Sequence, residues 1–290
     1  MRTVTALCLV LGLLAGACAG SSDRREYTLQ GQIISIAPDR KNANIKHEEI
    51  KGFMSAMTMP YKVRDAKEYD NLVPGDLITA TLVVVSNDAY LKDVKKVGNA
   101  PLEKPPAESS MPPASSGFEL LTLGQPVPDA KFINQDGKPA TLEALRGSAL
   151  IVTFIYTNCP MPTFCPLMDQ HFATIQKKLK AEGNALNVHL LSVSFDPAAD
   201  TPPVLKKHAQ KLGADPRLWT FVTGDRDEID QWASRFGVSV SRAMNDPRDI
   251  THNLRTAIID RQGNLVQTYT GNEWTPEHVL ADVRVMVGVD

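Results

Sequence analysis

Two cysteines separated by five residues are the first candidates for chemistry in the sequence. Cys159 and Cys165 are the only cysteines beyond the first 20 residues. They follow an apolar run and precede apolar side chains at helical spacing, so we expect them in the loop and first turn between a strand and a helix. The positive end of a helix dipole favours thiolate there, and a thiolate is both a nucleophile and a metal ligand.

A histidine from a later loop can complete a metal site with this pair. His252 lies in the segment ITHN, just before a predicted hairpin. Two thiolates and one imidazole form a soft donor set that suits Cu(I), and Cu(II) is acceptable with a further ligand. The thiols could instead cycle between dithiol and disulfide, or form a permanent structural disulfide, with His252 as an ordinary surface histidine. The residues alone leave these alternatives open.

A histidine and three methionines nearer the N-terminus form the second candidate site. His47 is followed by Met54, Met57 and Met59 in a short polar segment. Met57 and Met59 alternate, so in a strand they share one face, where a histidine from the preceding strand can meet them. Thioether sulfur selects soft ions such as Cu(I) or Ag(I) over zinc. Methionines ordinarily fill cores, but a trio in a polar segment is a poor core pattern.

Short strands would position the histidine and methionines. Residues 27–98 contain several β-type runs broken by Gly, Pro, Asn and Asp, for example at 74–76. This spacing predicts a small all-β barrel or sandwich, which we place at residues 26–98. Residues 99–116 are rich in Pro, Ser and Ala, which predicts a solvated linker. The chain is therefore expected to have two domains.

Strands and helices alternate in the second domain, residues 117–290. The run 149–156 lacks polar alternation, which is typical of a strand covered by helices on both faces. This pattern predicts an α/β sheet with helices on both sides. The elements expected after the cysteines are a helix ending near Gly183, a strand at 188–196, a helix at 201–212, a strand at 218–224, a helix at 226–237, a hairpin at 254–271 and a helix at 276–288.

The first 20 residues predict export. Arg2 precedes an apolar core, and small residues surround Cys18, as in a signal peptide too short to span a membrane. The segment ending at Cys18 resembles a bacterial lipobox, which implies a lipid anchor at this cysteine. We expect a periplasmic or cell-envelope protein, where a disulfide can persist. The formal net charge of -2 gives no support for nucleic-acid binding.

Several short segments of the second half match the pattern of one known family. They are Phe154 to Thr157, Cys159 with Pro160, Cys165 with Pro166, Asp196 with Pro197, Asp200 to Pro202, Phe221 to Gly224, and His252. On these residues the chain from about Gly117 onward resembles the Sco (SenC) family. The resemblance implies a thioredoxin-like fold, a copper site at Cys159, Cys165 and His252, and a role in cytochrome oxidase assembly. The implied partners are an oxidase subunit or another copper acceptor, and a thioredoxin-like reductant.

The spacing of the cysteines departs from this family pattern. Three residues usually separate the cysteines, whereas five separate them here. Pro160 and Pro162 stiffen the longer loop and can fix a different angle between the thiols. Met161 and Met168 are further soft sulfurs near the pair, with core packing or loop exposure as the alternative for each.

Residues 26–98 resemble the CusF-like periplasmic copper-binding domain, a small β-barrel of the OB type. Its motif of a histidine followed by Met-Thr-Met carries over to His47, Met57 and Met59. Where well-known members place a tryptophan over the metal, this chain has Met54, and its histidine-to-methionine interval is one residue shorter. The resemblance implies Cu(I) at this motif, with Met54 as a fourth ligand or a lid.

These features predict an exported two-domain copper protein that captures Cu(I) in the first domain and passes it to the second for delivery. One alternative is a thiol-disulfide oxidoreductase in which Cys159 attacks and Cys165 resolves, with copper only at the first domain. Another is a periplasmic protein of copper sequestration or resistance. A peroxidase is the least favoured, because no Thr or Arg around Cys159 forms a recognisable peroxide site.

Overall fold

The computed structural model describes residues 24–102, 119–242 and 250–288. The predicted signal peptide, with Cys18, lies outside these residues, as does most of the predicted linker. Within the described ranges, no helix combines the length and the apolar character needed to cross a membrane.

The N-terminal region is a five-stranded antiparallel sheet. Burial alternates along its second and third strands, because one face of each packs into a core and the other meets solvent. The strands lie in the order β3-β2-β1-β4-β5 and are β1 (Arg25–Ile36), β2 (Asn42–His47), β3 (Met57–Lys62), β4 (Asp76–Val85) and β5 (Asp88–Asn99).

The two edges of this sheet approach each other at one point. An isolated parallel bridge joins Val63, directly after β3, to Leu91 in β5. Register shifts in the β1–β2 and β4–β5 pairs bend the sheet, but the described strands do not pair along both edges. The strand-rich N-terminal region is confirmed, whereas the closed barrel predicted from the sequence is not shown.

Among the described residues, the C-terminal region forms a seven-stranded sheet with four α-helices. In chain order the elements are β6 (Phe132–Asn134), β7 (Pro139–Ala140), β8 (Ala149–Ile155), α1 (Cys165–Ala181), β9 (Val188–Ser194), α2 (Pro202–Lys211), β10 (Trp219–Gly224), α3 (Arg226–Ser234), β11 (Val240–Arg242), β12 (Ile250–His252), β13 (Arg255–Ile259), β14 (Leu265–Thr270) and α4 (Pro276–Val287). The strand order of the sheet is β14-β13-β8-β9-β10-β6-β7, with parallel pairing from β8 to β10, and β11 and β12 form a separate pair.

Strand β8 lies in the interior of this sheet, between β13 and β9. All its residues are buried, which agrees with the uninterrupted apolar run in the sequence. The helix after the cysteines, α1, has Pro166 in its first turn and ends before Gly183, which has a φ of +61°. The predicted helices and strands of the second half are therefore present, with ends displaced by one to three residues.

Candidate metal centre

The two cysteines lie where the sequence predicted them. Strand β8 ends at Ile155, and Cys165 is the first residue of α1. Both cysteines are free thiols, with Cys159 half-buried and Cys165 buried. The loop between them connects a rigid strand to a rigid helix, which restricts the positions that the thiols can take.

A buried aspartate anchors the start of this loop. The Asp200 carboxylate accepts hydrogen bonds from the backbone N–H of Thr157 at 3.0 Å, from the Thr157 hydroxyl, and from the Ser194 hydroxyl at 2.5 Å. Asp200 is fully buried, so these charge-assisted bonds lie away from water. Asp200 thereby ties the segment two residues before Cys159 to the end of β9.

His252, the last residue of β12, lies next to the buried Cys165. Its Nε2 lies 3.5 Å from the Cys165 Sγ. Its Nδ1 lies 3.0 Å from the Asn253 backbone oxygen, and because a carbonyl only accepts, Nδ1 carries the proton. The Nε2 lone pair therefore faces the thiol, as required of a metal-binding imidazole with a fixed tautomer.

Aromatic rings enclose this histidine. The ring of Phe195 lies 4.5 Å and that of Tyr156 5.6 Å from the His252 ring, measured between centroids. Burial lowers the pKa of His252 to about 4, although the Asn253 carbonyl acts in the opposite direction. The imidazole is therefore neutral at ordinary pH and available as a donor.

The two thiols differ in their acidity. The pKa of Cys159 is lowered, chiefly by the hydrogen bond with the Cys165 thiol, while burial and the neighbouring Cys159 raise the pKa of Cys165. Cys159 is thus the more acidic thiol of the pair. This difference in acidity suits metal binding, and it also suits a dithiol in which Cys159 attacks first.

Alkylation can test this difference in acidity between Cys159 and Cys165. In the reduced protein, iodoacetamide should modify Cys159 before Cys165, because Cys159 is both more exposed and more acidic. Cys165→Ala removes the donor, so the pKa of Cys159 should rise and its alkylation at neutral pH should slow several-fold, recovering at higher pH. Cys165→Ser keeps a hydroxyl donor and serves as the control. Mass spectrometry of the two peptides gives the rates, and preferential alkylation of Cys165 would contradict the assignment.

The second candidate site lies on β2 and β3. His47 is directly opposite Met57 in this strand pair, and Met59 lies two residues further along the same strand. On the other side of β2, Gly31 is paired with His47, and a side chain there would come within 2.9 Å of the His47 Cα. The histidine and methionines therefore meet across neighbouring strands, as the alternation in the sequence predicted.

His47 is a buried imidazole with one unpartnered nitrogen. Only 2% of its surface is exposed, and its Nδ1 donates to the Glu48 backbone oxygen at 2.7 Å. Its Nε2 is buried and has no hydrogen-bond partner among the described residues. Burial lowers the pKa of His47, which keeps this nitrogen unprotonated. A buried lone pair without a partner is costly in a core but is what a metal ligand offers.

The three methionines of this site differ in burial. Met54 and Met59 are buried, and Met57 is half-buried. The Met54 Sδ accepts a hydrogen bond from the Tyr61 hydroxyl at 3.7 Å. The Tyr61 hydroxyl therefore holds Met54 within the same core cluster as Met59.

One cavity connects the two candidate sites. Its volume is about 380 Å³ and its walls are largely apolar. Cys165 and His47 do not line the cavity but adjoin residues that do. The Cys165 Sγ lies 3.5 Å from Nε2 of His252, and His47 is paired with Met57 across β2 and β3. The donor-bearing residues that line the cavity are Met54, Met57 and Met59 from the N-terminal region and Cys159, Met161 and His252 from the C-terminal region.

The donors are gathered but not closed into a cluster. Within the residues described, no three His, Cys, Asp or Glu side chains already surround a common point at metal-binding distance. Cys159, Cys165 and His252 would therefore have to close around an ion. The half-buried position of Cys159 in the loop allows this movement more readily than that of Cys165 in α1.

The remaining histidines do not line this cavity. His208 contacts Asp169 at 2.8 Å, His189 contacts Thr220, and His171 packs against Trp274. Sequence reasoning assigned no role to Asp200, Tyr156 or Phe195, although Asp200 was among the residues matching the family pattern. Asp196, by contrast, accepts from the Ala199 N–H at 3.4 Å and so resembles a turn cap.

Comparison with known proteins identifies relatives of both halves. Residues 126–288 match the family model of SCO1/SenC, and residues 26–96 match that of the copper binding periplasmic protein CusF. A SCO1 protein homolog of Bacillus subtilis is 35% identical over 155 residues, which cover 53% of this chain and 78% of that protein.

Two solved structures share the C-terminal fold. A SCO1/SenC family lipoprotein of Bacillus anthracis aligns with a TM-score of 0.50 at 30% identity, over 57% of this chain and 98% of that one. BsSco, described as a member of the Sco family of cytochrome c oxidase assembly proteins with a disulfide switch, aligns with a TM-score of 0.50 at 31% identity, over 60% and 100%. Since the SCO1/SenC match spans more than half of the 290 residues and includes Cys159, Cys165 and His252, the chain belongs to the SCO1/SenC family.

Proposed function

We propose that this protein is an exported copper chaperone that captures Cu(I) at His47, Met57 and Met59 and passes it to Cys159, Cys165 and His252. The observation that carries this proposal is the cavity that both sets of donors line or adjoin. A copper ion released from the methionines would meet the thiols without entering bulk solvent. From there it would be inserted into an acceptor such as a cytochrome oxidase subunit.

The residues present fit copper as a cargo. The N-terminal set offers two thioethers and an imidazole, and the C-terminal set offers two thiols and an imidazole, which are soft donors suited to Cu(I). Each histidine, His47 and His252, holds its proton at Nδ1 and leaves Nε2 for a metal. The fixed tautomers favour binding at both ends of the cavity.

Transfer in this direction follows from the charge of the donors. Thiolates carry a negative charge that thioethers lack, so Cu(I) should be held more tightly by Cys159 and Cys165 than by Met57 and Met59. Cu(I) exchanges ligands and keeps its oxidation state. Each thiol that becomes a ligand releases its proton to solvent, and no other reactant is needed.

The relatives support the same assignment. The N-terminal match is to a copper binding periplasmic protein, and BsSco belongs to a family of cytochrome c oxidase assembly proteins. The periplasmic relative and the lipoprotein from Bacillus anthracis support export and a lipid anchor at Cys18. On the same ground we propose that the N-terminal sheet is an OB-like barrel.

A second function is favoured by the acidity of the thiols. Cys159 is the more acidic and more exposed of a free pair, which suits a thiol-disulfide oxidoreductase that reduces copper-site thiols and is itself reduced by a thioredoxin-like partner. The disulfide switch of BsSco supports this alternative. Reductase activity that persists in copper-free protein would favour it over delivery, and a protein inactive in both assays would leave sequestration.

The double variant Met57→Leu/Met59→Leu tests the relay. Leucine preserves the volume of the strand face and removes both thioethers, so loading of the dithiol should fall about tenfold when copper is limiting, as the benefit of a tethered donor is lost. Anaerobic reduced full-length protein would receive 0.2 equivalents of Cu(I) from a chelator, in competition with free chelator, and thiolate-to-copper absorbance would report loading. The matched control is Met168→Leu, a buried methionine in the C-terminal core. Unchanged loading of the double variant would refute the relay.

A further inference from the structure

The loop between the two cysteines contacts both halves of the molecule. Its second residue, Met161, is 4% exposed and belongs to the buried cluster of the N-terminal sheet, together with Met54 and Met59. Cys159 and Phe164 pack against this cluster and also against the C-terminal core. The longer loop, which departs from the usual family spacing, is thus the segment that inserts into the neighbouring region.

Local geometry fixes the position of Met161. Pro160 and Pro162 flank it and restrict the backbone on both sides. The Phe164 N–H donates to the Met161 oxygen at 3.1 Å, and the Cys159 Sγ lies 3.8 Å from that same oxygen. Met161 is therefore held in a tight turn that also contains the more acidic thiol.

Burial alone does not require a methionine at this position. Leucine would fill a similar volume with a comparable apolar surface. What methionine adds is a thioether sulfur, and Met161 lines the same cavity as Met57, Met59 and Cys159. Met161 belongs to the same buried cluster as Met59, and its backbone oxygen lies 3.8 Å from the Cys159 Sγ, so it adjoins both the donor and the acceptor site.

We propose that Met161 is a transient copper ligand on the route from the methionines to the cysteines. This inference rests on the proposed relay. Cu(I) held by His47, Met57 and Met59 gains the Met161 sulfur as an additional ligand and then loses His47 and one of the two β3 thioethers. Cys159 next releases its proton and displaces the remaining β3 thioether, and Cys165 and His252 complete the site as Met161 leaves. Copper stays Cu(I) throughout, and the protons of both thiols pass to solvent.

Two measurements on full-length protein test this role. In stopped-flow mixing with one equivalent of Cu(I), Met161→Leu should slow the rise of thiolate-to-copper absorbance about tenfold at an unchanged final amplitude, while Met168→Leu should behave as wild type. In a Cys159→Ser/Cys165→Ser background, Ag(I) should shift the ¹³C-methyl NMR signal of Met161 along with those of Met57 and Met59. The NMR measurement reports contact with the metal whether or not transfer occurs.

The outcomes separate this inference from the relay itself. Loading that depends on Met57 and Met59, with a wild-type rate in Met161→Leu, would overturn only the role of Met161. A slower rate with an unshifted Met161 methyl would also overturn it, because the residue would then serve docking alone. Dithiol loading that is independent of Met57 and Met59 would instead refute the relay, whatever Met161 does.

Discussion

The Cys165→Ser variant should bind Cu(I) at the proposed C-terminal site far more weakly than the wild-type protein does, in competition with a Cu(I) chelator. The expected fall in affinity is more than about a hundredfold, because changes to residues behind a metal ligand already cost about 10- to 100-fold. A serine hydroxyl is neutral and hard, and at this buried position no water can replace the lost thiolate. Cys159→Ser should have the same effect, and His252→Ala a smaller one, since imidazole is a neutral donor.

Copper binding at Cys159, Cys165 and His252 is best measured in a protein that lacks the proposed methionine ligands of the first site. The three substitutions would be introduced into reduced, anaerobic full-length protein carrying Met57→Leu/Met59→Leu, and bound copper would be determined under chelator competition. His278→Ala is a suitable control, because this histidine lies on α4 with 60% of its side chain exposed. Copper retained by both cysteine variants would exclude the site. If the Met57→Leu/Met59→Leu protein binds no copper but its two thiols still cycle between dithiol and disulfide, the thiol-disulfide oxidoreductase function is favoured.

Asp200→Ala should destabilise the C-terminal region by about 3 kcal/mol, because buried donors on Thr157 and Ser194 would lose their acceptor. Urea unfolding of the copper-free reduced protein measures this change. All three tryptophans, Trp219, Trp232 and Trp274, lie in the C-terminal region, so their fluorescence reports its unfolding separately from that of the N-terminal sheet.

A matched control for Asp200 is available four residues earlier. Asp196 is also buried, but the bond its carboxylate accepts, from the Ala199 N–H, is long at 3.4 Å. Asp196→Ala should therefore cost about 1 kcal/mol. Equal unfolding midpoints for the Asp200 variant and the wild type would contradict the anchoring role.

The Asp200 variant should also expose Cys165 to faster alkylation, because the start of the loop would be released.

The parts of the site that depend on local sequence pattern were predictable. An uninterrupted apolar run indicated β8, helical spacing after Cys165 indicated α1, and alternation of Met57 with Met59 placed both opposite the strand of His47. Each of these patterns reflects the period of a single element, which neighbouring residues encode. The same reasoning placed the C-terminal fold correctly, within a few residues at each end.

Contacts between distant segments were not predictable in this way. Nothing local to Met161 indicates that it packs into the N-terminal core, and the sequence shows the longer cysteine loop only as a departure from the family pattern, not as a contact with the N-terminal sheet. Likewise, Asp200 contacts Thr157 from 43 positions away. Sheet closure also depends on the meeting of β3 and β5, which the turns between successive strands do not specify.

The histidines of the two candidate sites share one arrangement, with Nδ1 bonded to the backbone oxygen of the following residue. Both imidazoles have lowered pKa values and need not release a proton when copper arrives, whereas the thiols must. At the proposed sites, protons would therefore compete with copper mainly at Cys159 and Cys165. If the proposed relay operates, mild acid should slow the loading of these thiols more than capture at Met57 and Met59, because a thioether has no proton to lose.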